Sequence, residues 1–493
     1  MRAIFTYFLG PKGENFEIFK RLINKAIDWN KRWREKFFDD ETIYPKDFFE
    51  SEIFKSEAET LEKVFDEFLK RLEKNLPYFH PRYSAQMLKD PSIPALLGYF
   101  AVMMTNPNNH AYEGGPVTTE IEMEVVDDLL KLVGFKDGWG HLTSGGSLAN
   151  LEALWAVRDF RKDGIAVFSK GSHYSWKRIC SILKVDFVEI DVDENYRIDI
   201  NQLEDVLKNN NVMFVMANFG TTGVGAVDPI VEILKLKEKY GFHLHIDAAY
   251  GGYMRSLIID ENGNLIDFSN VDAPLKKFVY DNLIAMSEAD SITIDPHKHG
   301  LVMYGAGGVL YKDENLRQVI LNTSPYTYHK KDKPNIGMFQ LEGSRPGASA
   351  GAVWLTHRVI PLNRNGFGKI LSQTLKTANY FHRKIENLPG FSSVTEPDLD
   401  IYCFYRHDGS LKLSEINKKT MKIYNGMSVE NPNAKFILSK FVIDPATAKR
   451  INPKFEIDDN SLNTLRSVFI KHWNTLSEKV NYVDLLIEEM VRD

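Results

Sequence analysis

The segment Ser291-Ile-Thr-Ile-Asp295-Pro296-His297-Lys298 decides the fold that this sequence predicts. Its first four residues predict a buried strand, and Pro296 then ends that strand. Lys298 is thereby placed just beyond a strand end, at the edge of a sheet. Lysine is rarely buried without a partner, and in a partly desolvated site we expect it to lose its proton more readily and act as a nucleophilic amine. For this segment taken alone, the alternative interpretation of Lys298 is an ordinary surface lysine that follows a strand.

Length, charge and cysteine content describe a large globular protein. With 493 residues the chain is too long for one ordinary core, so two or three lobes are expected. The formal net charge of -6 gives no basic surface for nucleic acid. Cys180 and Cys403 are the only cysteines, which excludes a disulfide framework and a cysteine-rich metal site. No metal is predicted, and this cysteine content is typical of a reducing compartment.

Membrane and secretion signals are not found in the sequence. The first residues carry a short apolar run but no small-residue cleavage signal, so we predict no signal peptide. The longest apolar run, Pro94 to Met104, is far short of the roughly 20 residues that a membrane-spanning helix needs. The sequence therefore predicts a soluble, cytoplasmic protein without a membrane partner.

Two amphipathic helices are predicted before the first strand, over residues 16–37 and 56–74. They belong to an N-terminal helical arm, residues 1–104, which we expect to pack either on a second subunit or on its own subunit. After the arm, Thr119 and Glu122 have the spacing of a capping box and predict the start of a helix there.

Strands and helices then alternate in a way that predicts a mainly parallel sheet covered by helices. The predicted strands cover residues 165–169, 185–190, 212–218 and 242–247. Ligands of such sheets bind at the carboxyl ends of the strands. The chemically useful residues at those ends are His173, Thr221, Thr222, Asp247 and Lys298.

The region after Lys298 is predicted to close a large domain, residues 105–350, and to begin a small α/β domain, residues 351–493. A polar loop over residues 322–340 has no pattern of its own, which is typical of a lid. Its Tyr326 is a candidate general acid, with Tyr328 second. The predicted elements of the small domain are strands at 400–406 and 436–442 and helices at 411–424 and 461–475.

The segment Thr143-Ser-Gly-Gly-Ser-Leu-Ala-Asn150 precedes a helical run and suits a phosphate group. Gly145 and Gly146 allow a ligand to approach the backbone, and the free N–H groups of the following helix favour an anion. Ser144 and Ser147 add hydroxyl donors. An ordinary glycine-rich helix start is an equally good interpretation of this segment alone. It contains no lysine, so it is not a mononucleotide-binding loop.

Considered together, these segments match the four chemical features of pyridoxal 5'-phosphate, which are an aldehyde, a pyridine nitrogen, a flat ring and a phosphate. Lys298 can hold the aldehyde as an imine. Asp247, a lone carboxylate at the end of an apolar strand, can hold a proton on the pyridine nitrogen. His173 can stack on the ring. Ser144, Gly146 and Ser147 suit the phosphate.

The order of these motifs resembles the group II pyridoxal phosphate decarboxylases, which have the aspartate aminotransferase-like α/β fold, called fold type I. The resemblance rests on Gly145-Gly-Ser147, Ser172-His173, His245-Ile-Asp247-Ala-Ala249 and Asp295-Pro-His-Lys298. It implies that Lys298 is the Schiff-base lysine and Asp247 the pyridinium partner. It also places His173 and Ala249 on opposite faces of the ring, His297 near the phosphate, and Thr221 or Thr222 near the ring.

Within that family the sequence is most similar to the bacterial tyrosine decarboxylases, through motifs such as Asn109-His-Ala-Tyr-Glu113 and Leu341-Glu-Gly-Ser344. Tyr304 matches a tyrosine that those enzymes use near the substrate. His299 departs from the pattern, because methionine is expected after the lysine.

The resemblance implies decarboxylation of L-tyrosine or another aromatic amino acid by a homodimer with active sites near the subunit interface. Two alternatives on the same fold are decarboxylation of glutamate or aspartate and a carbon–carbon lyase. A non-enzymatic binding protein is a third, disfavoured by the retained Lys298, Asp247 and His173.

Overall fold

The computed structural model of the chain describes residues 2–325, 327–328 and 333–492. It opens with the helices α1 (Arg2–Phe5), α2 (Phe16–Arg34), α3 (Glu52–Leu72) and α4 (Ile93–Met103). Ser51 caps α3 by accepting a hydrogen bond from the Phe54 N–H at 3.2 Å. All of α3 is free of buried residues, and its Ile53 and Leu61 are each 73% exposed. The apolar face of this helix is therefore uncovered in the single chain.

A large sheet forms the centre of the molecule. Its strands are β1 (Trp139–Thr143), β2 (Ile165–Ser169), β3 (Phe187–Ile190), β4 (Val212–Asn218), β5 (His243–Asp247), β6 (Ser291–Ile294) and β7 (Gly307–Tyr311). They lie in the order β1-β7-β6-β5-β4-β2-β3. The strands β2 to β6 are parallel to one another, and β7 is antiparallel to both β1 and β6. The prediction of a mainly parallel α/β sheet is confirmed.

Every residue of β4, β5 and β6 is buried, which is typical of parallel strands covered on both faces. The helices of this region are α5 (Pro116–Val133), α6 (Gly146–Arg161), α7 (Ser175–Leu183), α8 (Ile200–Asn209), α9 (Ile230–Tyr240), α10 (Lys277–Ala285) and α11 (Leu316–Val319). Helix α6 packs along β4 to β7 and β1, so the glycine-rich segment at its start is fixed against the centre of the sheet. In the described part of the chain, every helix is too short or too polar to cross a membrane.

The predicted capping box at Thr119 is wrong, because α5 begins at Pro116 with Gly115 before it. Proline suits the first helical position, where its missing N–H costs nothing. Glu122 is instead fully buried, and its carboxylate accepts a hydrogen bond from the Leu142 N–H at 3.0 Å and forms an ion pair with Arg345. This carboxylate therefore joins the helix to the sheet rather than capping it.

The C-terminal region begins with α12 (Ala348–Val359), which packs on α4, and α13 (Phe367–Glu386). A second sheet follows, with the strands β8 (Phe391–Ser393), β9 (Ile401–Arg406), β10 (Ser439–Ile443) and β11 (Leu462–Val468), and with the helices α14 (Leu413–Gly426), α15 (Pro445–Ile451) and α16 (Tyr482–Met490). Its order is β10-β11-β9-β8, and all its pairs are antiparallel.

The helix predicted over residues 461–475 is wrong, because residues Leu462–Val468 form the central strand β11. This strand pairs with β10 on one side and β9 on the other, so its backbone groups are satisfied by two neighbours. Pairing of this kind is set by distant parts of the chain and overrides local periodicity.

Candidate active site

A cavity of about 420 Å³ lies at the carboxyl ends of β4, β5 and β6. The position is the one expected for a ligand of an open parallel sheet. Of the residues predicted for the site, the cavity brings together Ser144, Gly146, Ser147, His173, Thr222, Asp247, Ala249, His297 and Lys298. Segments far apart in sequence therefore meet around one space.

Lys298 is held by a carboxylate of its own turn. Its Nζ lies 3.1 Å from Oδ2 of Asp295, which is buried, and Nε2 of His297 lies 3.5 Å from the same oxygen. Gly300 is required here, because a Cβ on it would lie 2.5 Å from the backbone of Pro296. The turn after β6 thus folds the lysine back over the strand that precedes it.

The protonation of Lys298 differs from the expectation. Burial would lower the pKa of Lys298, but the nearby carboxylates of Asp295 and Asp247 favour the charged amine and together raise that pKa above its ordinary value. The expectation of a readily lost proton is therefore wrong for the protein without a ligand. Offsetting one of these negative charges would lower the pKa of Lys298 and increase the fraction of neutral amine.

Asp247 is less isolated than the sequence suggests. Its Oδ2 accepts hydrogen bonds from Nδ2 of Asn150 at 2.7 Å and from Nε1 of Trp176 at 3.4 Å. Its Oδ1 accepts one from the Ala249 N–H at 3.2 Å. Three donors hold the carboxylate in place, and its remaining lone pairs can still accept a hydrogen bond from a group in the cavity.

His173 presents a neutral ring to the cavity. Burial lowers the pKa of His173, and the negative charge of Asp247 only partly opposes this effect. Its Nδ1 lies 2.7 Å from Oγ of Ser175, so the first turn of α7 fixes the ring. A neutral flat ring suits stacking on an aromatic ligand.

The start of α6 suits a phosphate. The first hydrogen bonds of the helix are donated by Leu148 and Ala149, so the N–H groups of Gly146 and Ser147 precede the regular pattern. A Cβ on Gly146 would lie 2.9 Å from Oδ2 of Asp295, and only glycine fits between the two segments. The Ser144 N–H donates to Oε2 of Glu342 at 3.1 Å.

Among the described residues, two that were predicted for the site, Thr221 and Tyr304, are not part of the cavity wall. Thr221 is buried, and its hydroxyl accepts a hydrogen bond from the Ala226 N–H at 3.0 Å, so Thr222 alone of the pair faces the cavity. Tyr304 is 56% exposed and lies against His297, with 4.4 Å between ring centroids, and its hydroxyl donates to the Met87 carbonyl at 3.3 Å. Tyr326 lies outside the described residues.

The cavity wall also contains residues that the sequence reasoning did not select, namely Asn150, Asn218, Tyr250 and Asp295. Asn150 stands one helical turn after Ser147 and so shares its face, which was an available signal. Asn218 closes a buried strand just as Asp247 does, and this position could have marked it. The sequence gives no signal for Tyr250, because its hydroxyl is held by a distant part of the chain. That hydroxyl donates a hydrogen bond at 2.6 Å to Asp400.

The fold and this cavity together define the class of protein. The cavity has four features that fit pyridoxal phosphate, and its glycines leave room for this ligand. They are the amine of Lys298, the Asp247 carboxylate that can accept a hydrogen bond, the flat neutral ring of His173 and the anion-binding start of α6. The chain has the fold type I architecture of pyridoxal phosphate enzymes.

Comparison with known proteins identifies the family. The model of the pyridoxal-dependent decarboxylase conserved domain matches residues 45–407. The chain is 34% identical to the L-tyrosine decarboxylase of Enterococcus faecium over 469 residues, which covers 77% of each chain. It is 28% identical to the L-aspartate decarboxylase of Thermococcus kodakarensis over 374 residues, covering 74% of this chain and 89% of the relative. The tryptophan decarboxylase of Catharanthus roseus in complex with L-tryptophan superposes with a TM-score of 0.68 at 18% identity over 97% of each chain. The chain belongs to the pyridoxal-dependent decarboxylase family, and its cofactor is pyridoxal phosphate.

Replacement of Lys298 tests its covalent role. Lys298→Ala should abolish the cofactor label that borohydride fixes to the protein, because only an amine can form the reducible linkage. Mass spectrometry of the reduced protein measures the label. Lys312→Ala, at an exposed lysine that pairs with Glu288, is the matched control and should keep the full label. A full label on Lys298→Ala would assign the linkage to another lysine.

The raised pKa of Lys298 predicts a pH dependence of cofactor capture. Below that pKa, the neutral amine fraction grows about tenfold per pH unit, so the rate at which the cofactor-free protein binds pyridoxal phosphate covalently should rise with pH. Asp295→Asn removes a charge that raises the pKa, and should shift this profile to lower pH. Stopped-flow absorbance measures the rate, with Asp281→Asn as an exposed control. Identical profiles for wild type and Asp295→Asn would contradict the electrostatic explanation.

Proposed function

We propose that this enzyme decarboxylates an aromatic L-amino acid, with L-tyrosine preferred. The observation that carries the preference is a second cavity of about 330 Å³, which shares His173 and Thr222 with the cofactor cavity. Three aromatic rings line it, those of Tyr174, Tyr196 and Phe441. Gln86 and Ser439 add polar groups to the same wall. Flat apolar walls with a few polar groups suit a phenol ring.

Three cations, Lys170, Lys440 and Arg466, also line this second cavity, and two of them are held by other groups of the protein. Arg466 is buried, and its guanidinium donates to the carbonyl oxygens of Thr222 at 2.8 Å and Ala85 at 2.9 Å. Lys170 pairs with Asp191 at 2.5 Å. The guanidinium of Arg466 has only neutral acceptors, so the aromatic preference rests on the rings of the cavity and not on an absence of positive charge.

The arginines that could have served an acidic substrate are also engaged elsewhere. Arg345 forms an ion pair with Glu122, and Arg358 pairs with Asp128 at 2.7 Å. The guanidinium of Arg178 lies 5.6 Å from the ring centroid of Tyr174. The similarity to the Enterococcus faecium L-tyrosine decarboxylase supports the same preference.

In this proposal the residues of the first cavity divide the work of the reaction. Bound pyridoxal phosphate delocalises the electron pair that remains on Cα when carbon dioxide leaves. Lys298 would hold the aldehyde end, and Ser144, Gly146, Ser147 and His297 the phosphate end. Asp247, held in place by its three donors, would keep a proton on the pyridine nitrogen.

His173 and the lid supply the remaining roles. His173 and Ala249 would enclose the ring, and Thr222 would approach it. Since Nδ1 of His173 is committed to Ser175, proton exchange with the substrate falls to its Nε2. A tyrosine of the 322–340 lid, Tyr326 first, is the second candidate for returning the proton to Cα.

Aspartate decarboxylation is the second candidate function, because the Thermococcus kodakarensis relative is named for it. The two are separated by kcat/KM for Tyr, Phe, Asp and Glu. We expect kcat/KM for Tyr to exceed that for Phe by at least about tenfold. Phe has no hydroxyl, so the polar group that binds the hydroxyl of Tyr would be left without a partner. Asp and Glu should be turned over poorly. Efficient turnover of Asp with none of Tyr would overturn the aromatic preference.

Side-chain variants identify the group that binds the phenol. Gln86→Ala, Ser439→Ala and Tyr304→Phe are compared, and the responsible variant should raise KM for Tyr while leaving that for Phe unchanged. Tyr405→Phe, at a buried tyrosine of the small sheet, is the matched control.

We also propose that the active enzyme is a homodimer joined in part by the N-terminal arm. On α3, the apolar side chains of Leu61, Val64, Phe65 and Phe68 are each more than half exposed, and a surface of this kind marks a contact site. A second copy of the chain offers the same apolar face, and an isologous interface would cover both.

Charge placed on this face should separate the subunits. Phe65→Glu combined with Phe68→Glu should convert a dimer into monomers in sedimentation velocity, because it would bury two charges at the interface. Lys63→Glu on the polar face is the control for an added charge. A dimer that resists the double change would exclude α3 from the interface.

A further inference from the structure

Asn150 lies between the carboxylate of Asp247 and a buried histidine of the same strand. Its Nδ2 is 2.7 Å from Oδ2 of Asp247, and its Oδ1 is 3.1 Å from Nε2 of His245. Asn150, His245 and Asp247 are all buried. Asn150 is therefore the link between the cofactor cavity and the polar interior of the sheet.

The charge of Asp247 fixes the direction of this link. An ionised carboxylate only accepts hydrogen bonds, so the amide must turn its N–H₂ toward Asp247 and its oxygen toward His245. The opposite orientation would set an amide oxygen against the carboxylate. His245 must then carry its proton on Nε2 in order to donate to Asn150.

The direction continues through the sheet to the next histidine. Oγ of Ser291 lies 2.8 Å from Nδ1 of His245 and 2.8 Å from Nε2 of His243. The single hydroxyl proton of Ser291 must go to Nδ1 of His245, since the Nε2 of that ring is the donor to Asn150. Ser291 then accepts from His243. Every donor in the chain therefore points toward Asp247.

The surroundings keep both histidines neutral. Burial lowers the pKa of His243 to about 4, and burial together with His243 holds the pKa of His245 well below its ordinary value. The rings of Trp176 and Phe214 pack on His245, and the Thr293 hydroxyl lies 3.3 Å from its Nε2. At the outer end, Nδ1 of His243 is 4.0 Å from Asp290, which is paired with Lys237 at 2.6 Å.

We propose that Asn150 is a positioning residue: supported by the chain His245–Ser291–His243, it orients the Asp247 carboxylate and stabilises its negative charge toward the pyridine nitrogen of the cofactor. The aligned donors act like a fixed dipole behind the carboxylate, and polarisation along the chain strengthens each bond. This role is independent of which amino acid is the substrate.

The test compares Asn150→Ala with a matched variant in the complete enzyme. A hydrogen bond to a charged group is worth enough that its loss should change the measured constants by about tenfold to a hundredfold. We therefore expect Asn150→Ala to lower kcat with little change in KM, to weaken pyridoxal phosphate binding, and to move the pH transition of the bound cofactor's absorption spectrum. Asn282→Ala removes a buried asparagine with two similar hydrogen bonds far from Asp247, and should leave all three unchanged.

A double-mutant cycle separates positioning from packing. In an Asp247→Ala background, Asn150→Ala should have no further effect on the dissociation constant of pyridoxal phosphate. An equal effect in both backgrounds, or an unchanged spectrum in Asn150→Ala, would overturn the proposal. If Asn150→Ala does not fold, Ser291→Ala is the second variant, because it interrupts the same chain of hydrogen bonds two hydrogen bonds away from Asn150. It should move the absorption spectrum in the same direction by a smaller amount. An unchanged spectrum in Ser291→Ala would overturn the contribution of the chain.

Discussion

A lysine amine held between two carboxylates is the constraint on which the rest of this structure depends. Lys298 lies at the cavity, and a buried cation without partners would be unstable. Asp295 from its own turn and Asp247 from the neighbouring strand supply the compensation. Asp247 must itself be held by donors, and Asn150, Trp176 and Ala249 supply them. Two carboxylates thus face one amine in the cavity before any ligand adds its own charge.

The turn that carries Lys298 is also tied to the small sheet. Nε2 of His299 lies 3.3 Å from Asp400, which precedes β9, and Asp400 accepts the hydroxyl of Tyr250 from the turn after β5. His299 and Asp400 are fully buried. The histidine that departs from the family pattern therefore forms a polar contact across the boundary between the two sheets. This contact joins the residue that follows Lys298 to the small sheet.

Much of the fold and site follows from local pattern, because strand ends in a parallel sheet meet at one edge. Once residues 212–218, 242–247 and 291–294 are recognised as buried strands, the meeting of Asp247 and Lys298 is a geometric consequence. The glycines at the start of α6 can be recognised from the sequence in the same way, because a ligand can approach the backbone closely only where the side chain is absent. For these features, local chemistry and the global fold require the same residues.

The features that could not be predicted depend on distant parts of the chain. Strand β11 is defined by its partners β9 and β10, and its own residues do not distinguish it from a helix. The raised pKa of Lys298 needs the positions of two carboxylates, one of them 51 residues away in sequence, to outweigh the effect of burial. Thr221 and Thr222 are adjacent, and only the backbone conformation decides which side chain faces the cavity.

Strand β7 gives the cavity a mechanical property of its own. It pairs with β6, which leads to Lys298, and with β1, which leads to the glycine segment, and Gly307 at its start fits against Gly145 so closely that a Cβ would lie 2.6 Å from Cα. The segment that carries the Lys298 amine and the segment that carries the N–H groups of Gly146 and Ser147 are thereby joined by one strand. A flat group held at both of these ends would keep one soft motion, which is rotation about the line joining the two ends. Such a group would tilt between His173 and Ala249 without a movement of the strands.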